Sequence, residues 1–465
     1  MSTDLAPDPT PAKTTRILSV PIISWGLWDW GSAAFNAVAT TFVFGVYLTS
    51  PDLFAPGDQA TSKLSLGLLI AGIVVAVLAP ITGQQGDRRG HSHRLLAIFS
   101  GLVVLCLFGM FFVYPESPMG RTGALWFGVA LLAVGNIFFE FASVNYNAML
   151  PRITSRETMG RVSGLGWAMG YIGGIVLLGI MYVGFISPKV GWFGVTSEHH
   201  LNIRIVMLVS AVWFGVFSIP VLTLVPHRKP DPTALAEPTE TLVTAYKNLC
   251  GTVKALAKIS PATLKFMIAS AIFRDGLAGV FTYGAIIAGG TFGLSSGDVL
   301  IFGIAANVVA GIFTVLCGVL DDWLGPKRVI VWSLGIMSVC GLAIFVFHNA
   351  GAWVFWVFGL TLSTLVGPVQ AASRSLLGRL VPEGHEGEVF GLYATTGRAV
   401  SFLAPAGFAL AMAIGGHIVG AGHSSQYFGI LGIVLILIIG GALTAPLNVG
   451  HRTDKHLVMD VPEQS

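Results

Sequence analysis

Twelve mostly apolar stretches dominate this chain, and each is long enough to cross a bilayer as a helix. They run over 21–48, 64–82, 94–114, 124–149, 162–186 and 203–225, then over 263–289, 297–320, 327–348, 352–378, 388–415 and 425–447. No water serves the backbone inside lipid, so runs of this length fold as helices of about 20 residues. Soluble domains carry about 25% charged residues. This chain is 11% charged and 54% hydrophobic, with a mean hydropathy of +0.77. The expected fold class is therefore an all-α membrane protein with twelve transmembrane helices.

The runs fall into two sets of six. The expected organisation is a tail over 1–20, a six-helix bundle over 21–226, a central linker over 227–262, a second bundle over 263–447 and a tail over 448–465. Pro230, Pro232 and Pro238 break the start of the linker. Further on, Leu242, Tyr246, Leu249, Val253 and Leu256 recur at helical spacing opposite Lys247, Lys254 and Lys258. That stripe suits either a helix lying on the membrane surface or a linker helix packed on the bundle ends.

Basic residues set the expected orientation. With the amino terminus inside, only Lys63, Arg121, Lys189 and Arg204 fall outside, and Arg274 and Arg398 lie within helices. The rest of the 26 Lys and Arg are inside, which by the positive-inside rule makes both termini cytoplasmic. Short loops and the lack of an Asn-x-Ser/Thr sequon favour a bacterial inner membrane. The first fifteen residues lack the charged-then-apolar pattern of a signal peptide.

One phrase occurs once in each half. Gly83, Asp87 and Gly90 share the spacing Gly-x-x-x-Asp-x-x-Gly with Gly318, Asp322 and Gly325, and Arg88 in the first copy is replaced by Trp323 in the second. The halves match elsewhere too. A shift of 231 residues lays Leu150-Pro151 on Val381-Pro382, Gly160 on Gly391, Gly166 on Gly397 and Ser143 on Arg374. Two parallel six-helix repeats are the internal symmetry of facilitator transporters.

The phrase between helices two and three resembles the signature loop of the major facilitator superfamily, with Gln85 and His91-Ser92 as departures from its usual wording. A narrower resemblance covers nearly the whole chain. Ser24-Trp25-Gly26-Leu27-Trp28-Asp29-Trp30, Arg161-Val162-Ser163-Gly164, Ser373-Arg374-Ser375-Leu376 and Phe390-Gly391-Leu392-Tyr393 are similar to the vacuolar-effluxer-like branch, named for autophagy-related amino-acid exporters. The resemblance implies the major facilitator fold, two pseudo-symmetric six-helix bundles around a cavity lined by helices one, four, seven and ten. Arg274 stands before Asp275 where that branch more often has asparagine.

Ionisable groups inside a membrane are costly, so each is a candidate for function. Three polar stripes stand on helices that the family places at the cavity. They are Asp29, Asn36 and Thr40 on helix one, Asn136, Glu140, Ser143 and Asn147 on helix four, and Ser363, Gly367, Gln370 and Arg374 on helix ten. They either line the cavity or hydrogen-bond neighbouring helices and hold the bundle together. Asp275 and Arg398 fall mid-helix on seven and eleven. Either Arg398 binds a carboxylate while Asp275, Glu140 or Asp29 takes a proton or amine, with Asp275 the leading acid, or Asp275 and Arg398 form a structural ion pair. From the family pattern, Asp87 and Arg88 form a gating latch against helix eleven, and Asp322 does the same for helix five. Trp25, Trp28 and Trp30 read either as an aromatic anchor at the inner interface or as a substrate platform, the anchor being favoured. Gly166, Gly170 and Gly174 form a ridge on helix five.

No phosphate-binding loop, His-Glu-x-x-His or Cys-x-x-Cys spacing occurs, and Cys106, Cys250, Cys317 and Cys340 show no paired spacing. An enzyme, a metal, a cofactor and a nucleic-acid partner are therefore not expected. The expectation is a monomeric secondary transporter that moves a small polar solute, amino acids first, by alternating access with proton coupling. The alternatives are a non-transporting membrane sensor on the same fold, or an exporter of a drug-like metabolite.

Overall fold

The computed structural model describes residues 18–50, 53–55, 59–88, 91–227, 260–294, 296–382, 385–419 and 425–448, with scattered positions between 247 and 258. Twelve long helical stretches follow one another among these residues. In the first half they are α1 (Val20–Leu48), α2 (Gln59–Arg88), α3 (Ser92–Met110), α4 (Gly120–Asn147), α5 (Met159–Ile186) and α6 (Leu201–Leu224). In the second half they are α7 (Pro261–Gly290), α8 (Ser296–Leu324), α9 (Pro326–Val346), α10 (Ala352–Leu380), α11 (Glu386–Val419) and α12 (Gln426–Thr444). Eleven are long and apolar enough to cross a membrane; α7 is a 30-residue helix that carries Lys265, Arg274 and Asp275. Leu69, Ile73, Leu105, Val212 and Val339 remain exposed on the outside of the bundle, a belt that lipid satisfies.

Within each half the helices pack on a core of their own. The first is built around Trp25, Phe35, Phe44 and Phe214, the second around Phe266, Phe273, Leu376 and Leu437. The second core extends over Val75 and Ala79 of α2 and Phe141 of α4, because α11 lies along α2. A second extensive contact between the halves runs along α5 and α8. Both contacts are close on the side that carries Arg152, Arg161, Arg379 and Lys327, termed here the basic face. A Cβ at Gly391 would stand 2.6 Å from the Ala79 carbonyl oxygen, and one at Gly318 would stand 2.9 Å from the Gly160 carbonyl oxygen. Only glycine permits so close an approach. The halves therefore meet closely at the basic face; the opposite side is termed the far face.

Several helices are interrupted, each for a local reason. In α1 the Ala34–Phe42 stretch widens to π geometry, and Thr40 and Thr41 donate back to the carbonyls of Phe35 and Asn36 at 3.1 and 2.7 Å. In α11 the helix stops at Ala399 and restarts at Leu403. Pro405 sits at the third position of the restarted helix, where it has no N–H to offer Ser401 and its ring blocks a continuous turn. Pro368 has the same relation to the break at Leu365 in α10.

Two sequence-based expectations change here. The repeated phrase is not a loop: the backbone stays helical through Arg88 in α2 and through Leu324 in α8, and the turn into α9 is made by Gly325 at φ +90°. Trp25 and Trp28 do not anchor at an interface. They are buried and stack on Tyr146 with centroids at 4.5 and 4.3 Å, because α1 is enclosed by α4, α5 and α6. Trp30 stacks instead on Trp213 of α6. The linker stripe falls largely outside the described residues; of its members, Leu256 is buried in the second core and Val253 packs against it.

Candidate functional site

Among the described residues, four guanidinium–carboxylate pairs cross the seam between the halves: Arg374–Asp29, Arg398–Glu140, Arg152–Glu386 and Arg161–Asp322. Arg374, on α10, reaches into the first half and is almost fully buried. Its Nη1 donates to Asp29 Oδ2 on α1 and to Asn147 Oδ1 on α4, both at 3.2 Å. Its Nη2 donates to the Ser163 carbonyl at 2.7 Å and its Nε to Ser163 Oγ at 3.0 Å. Tyr146 Oη donates to the same Asp29 oxygen at 2.8 Å, and the Trp25 ring covers the guanidinium at 4.7 Å. Ser163 in turn donates to the Ala371 carbonyl at 2.7 Å. Every part of this cation is thus satisfied by the protein itself. A buried charge held so completely joins α10 to α1, α4 and α5, and it is costly to expose.

A second ion pair lies between α11 and α4. Arg398 donates through Nη2 to Glu140 Oε1 and, at 3.4 Å, to Asn136 Oδ1. The two side chains keep 31% and 26% of their surface, so this pair remains reachable where the Asp29–Arg374 pair does not. Nearby, Arg274 on α7 lies over the Tyr393 ring at 3.9 Å and donates to the Tyr393 carbonyl at 3.2 Å. Tyr393 Oη and Ser373 Oγ are 2.7 Å apart, which links this group to the residue beside Arg374.

Asp275 stands apart from these pairs, and no Asp275–Arg398 ion pair forms. Its Oδ2 accepts the Ala404 N–H at 2.6 Å. The restarted segment of α11 begins with unsatisfied N–H groups and a positive helix end, and the Asp275 carboxylate caps them. Arg398 ends the previous segment and faces α4. Of the other sequence candidates, Asn36 is exposed on the widened turn of α1, and Gln370 is half-buried one turn before Arg374.

At the basic face Asp322 sits at the amino end of α5. It accepts the Gly160 and Arg161 N–H groups at 2.8 and 3.1 Å and pairs with Arg379 at 2.8 Å and the Arg161 side chain at 3.1 Å. Asp321 adds Arg379 at 3.0 Å and Ser375 at 3.2 Å. Gly318 makes the close α8–α5 approach and Gly325 the turn. The side chains of Asp87 and Arg88 lie outside the described residues, as does Gly90; Gly83 is described only as helical backbone. On that flank Arg152 pairs with Glu386 at 3.1 Å across the halves.

Arg161, Arg379, Ser163 and Tyr146 were not among the sequence candidates. Arg379 sits at the charged end of an otherwise apolar run, where it reads as a simple inner anchor. Gly293-Leu294-Ser295-Ser296-Gly297 spells Gly-x-Ser-x-Gly, but it joins α7 to α8 instead of a strand to a helix, and Ser295 lies outside the described residues.

Two six-helix lobes joined across a seam by ion pairs and by close glycine contacts define a major facilitator transporter. Residues 59–441 match the family described as vacuole effluxer Atg22 like, and the chain belongs to that family. It is 27% identical over 425 residues to the uncharacterized MFS-type transporter YxiO of Bacillus subtilis (strain 168), covering 90% of this chain and 94% of that one. It is 24% identical over 355 residues to autophagy-related protein 22 of Yarrowia lipolytica, covering 70% of this chain and 57% of that one. The fold resembles the solved proton:xylose symporter XylE, with a TM-score of 0.67, 16% identity, and coverage of 91% of this chain and 94% of that one. It also resembles a bacterial homologue of the iron transporter ferroportin in its outward-facing state, with a TM-score of 0.64, 16% identity, and coverage of 92% and 98%. The protein is an integral multi-pass membrane transporter, not an enzyme, and works as a secondary transporter by alternating access.

Proposed function

We propose that this transporter moves a small polar solute, an amino acid or a close relative, in exchange for or together with protons, and that Glu140 carries the proton. The observation that supports this is the Arg398–Glu140 pair, an accessible charge pair spanning α11 and α4 at the seam between the lobes. While Glu140 is ionised it holds Arg398. When a proton from the open side binds the Glu140 carboxylate, the pair loses its attraction and α11 is released from α4. After the lobes rock, proton and solute leave to the other side and the pair re-forms. The basic face is read as cytoplasmic, with both termini there, in a bacterial inner membrane, and the chain as a monomer. The test is uptake of a radiolabelled amino-acid mixture into proteoliposomes. Glu140→Gln should lose accumulation driven by a pH gradient while retaining counterflow exchange. Undiminished gradient-driven accumulation by that variant would overturn the assignment.

A further inference from the structure

Among the described residues, Arg274 is the one guanidinium of the seam without a carboxylate beside it. Its contacts are a carbonyl oxygen and a ring face, which satisfy hydrogen bonds but leave its charge uncompensated. Asp275, next in sequence, is committed to the Ala404 N–H.

The repeat shows what is missing. Laying Gly31 on Gly276 puts Asp29 on Arg274, and the contacts agree. A Cβ at Gly31 would stand 2.9 Å from Phe217 on α6, and one at Gly276 would stand 2.9 Å from Leu437 on α12, the matching helix of the other half. The shift of 231 residues pairs Gly166 with Gly397. A Cβ at Gly166 would stand 2.7 Å from Asp29 Oδ2, and one at Gly397 would stand 2.9 Å from Arg274 Nη2. Asp29 and Arg274 therefore occupy equivalent places with opposite charge.

The partner of Asp29 is Arg374, which comes from α10 of the other half. The residue equivalent to Arg374 is Ser143 on α4. Where the first half has a carboxylate and a guanidinium in contact, the repeat sets the Arg274 guanidinium against the small hydroxyl of Ser143 in the second. Ser143 Oγ accepts from Asn147 Nδ2 at 3.1 Å, which leaves its O–H free to donate. One cation, one hydroxyl donor and a missing counter-charge make a receptor for a compact anion.

We infer that the space between Arg274 and Ser143 receives the carboxylate of the transported solute. This deepens the transport reading above and rests on it. The solute carboxylate completes in the second half the ion pair that Asp29 and Arg374 make in the first, so an occupied transporter has both halves neutralised.

The test needs no knowledge of the solute. In a chain with Cys106, Cys250, Cys317 and Cys340 replaced by serine, Ser143→Cys is reacted with an anionic (sulfonatoethyl) and a cationic (trimethylammonium-ethyl) methanethiosulfonate. Relative to their ratio on a free thiol, the anionic reagent should gain about tenfold through the field of Arg274. Adding Arg274→Gln should abolish that gain. An unchanged ratio with and without Arg274, or a cysteine at 143 that neither reagent reaches, would overturn the proposal. Because labelling requires neither transport nor protons, a biased ratio in a protein whose Glu140→Gln variant still accumulates solute would sink the proton assignment alone. An unbiased ratio alongside the expected uptake behaviour would sink the anion receptor alone.

Discussion

Asp322→Asn isolates the latch at the basic face. The wild-type carboxylate offers one oxygen to the Gly160 N–H at 2.8 Å and the other to the Arg161 N–H at 3.1 Å, while also holding Arg379 at 2.8 Å. Asparagine keeps the shape but has one acceptor oxygen and no charge, so one backbone N–H faces an amide nitrogen. Hydrogen bonds to a charged partner contribute about 1.5–3 kcal/mol each, and a negative charge at a helix start adds about 0.3–1 kcal/mol. Arg379 retains Asp321 at 3.0 Å, which offsets part of the loss. The net cost is about 2–3 kcal/mol, and it falls only on the state in which α5 and α8 meet at this face. The ratio of basic-face-open to basic-face-closed molecules should rise by roughly 30- to 150-fold. Electron-spin distances between labels at Arg94 on α3 and Arg328 on α9, in the cysteine-free background, read this ratio directly. A longer population should appear or grow in the variant. A ratio that moves by less than about threefold would refute the reasoning, because differential stabilisation is the only way a latch shifts the equilibrium.

Gly391→Val should act in the same direction by sterics. Its Cβ would meet the Ala79 oxygen and Pro80 Cα at 2.6 Å, so α2 and α11 must part, and counterflow turnover should fall at least about tenfold. Asp275→Leu removes the cap of the restarted α11 segment and should lower stability by about 0.5–2 kcal/mol, read as a lower melting temperature in detergent. Asp275→Asn, which keeps an acceptor for Ala404, should leave pH-driven uptake intact. Asp29→Asn strands the buried Arg374 charge, and breaking such a pair costs about 3–5 kcal/mol. Its melting temperature should fall sharply and recover in part when Arg374→Gln is added.

The twelve helices were legible because an apolar run in lipid has one solution, and their order and lobes follow the expected pattern. Asp29, Asn147 and Arg374, one from each stripe on α1, α4 and α10, meet at the seam. Pairing was not legible. Asp29 finds Arg374 and Glu140 finds Arg398 across hundreds of residues, and only the docking of the lobes selects those partners. The capping of α11 by Asp275 was not legible because the break in α11 has no glycine to mark it; the one local signal was Pro405. Arg274 was noticed only for differing from its family, yet the repeat that set Ser143 against Arg374 already contained the vacancy beside it. The latch residues Arg161 and Arg379 were hidden among basic residues that the positive-inside pattern explains equally well.

The central claim is that the two faces open reciprocally about the seam. Two label pairs read this together: Arg94 with Arg328 at the basic face, and Phe112 with Asn349 at the far face. In Asp322→Asn the first distance should lengthen while the second shortens, with both populations growing by the same fraction. A basic face that opens while the far-face distances stay unchanged would contradict alternating access in this protein.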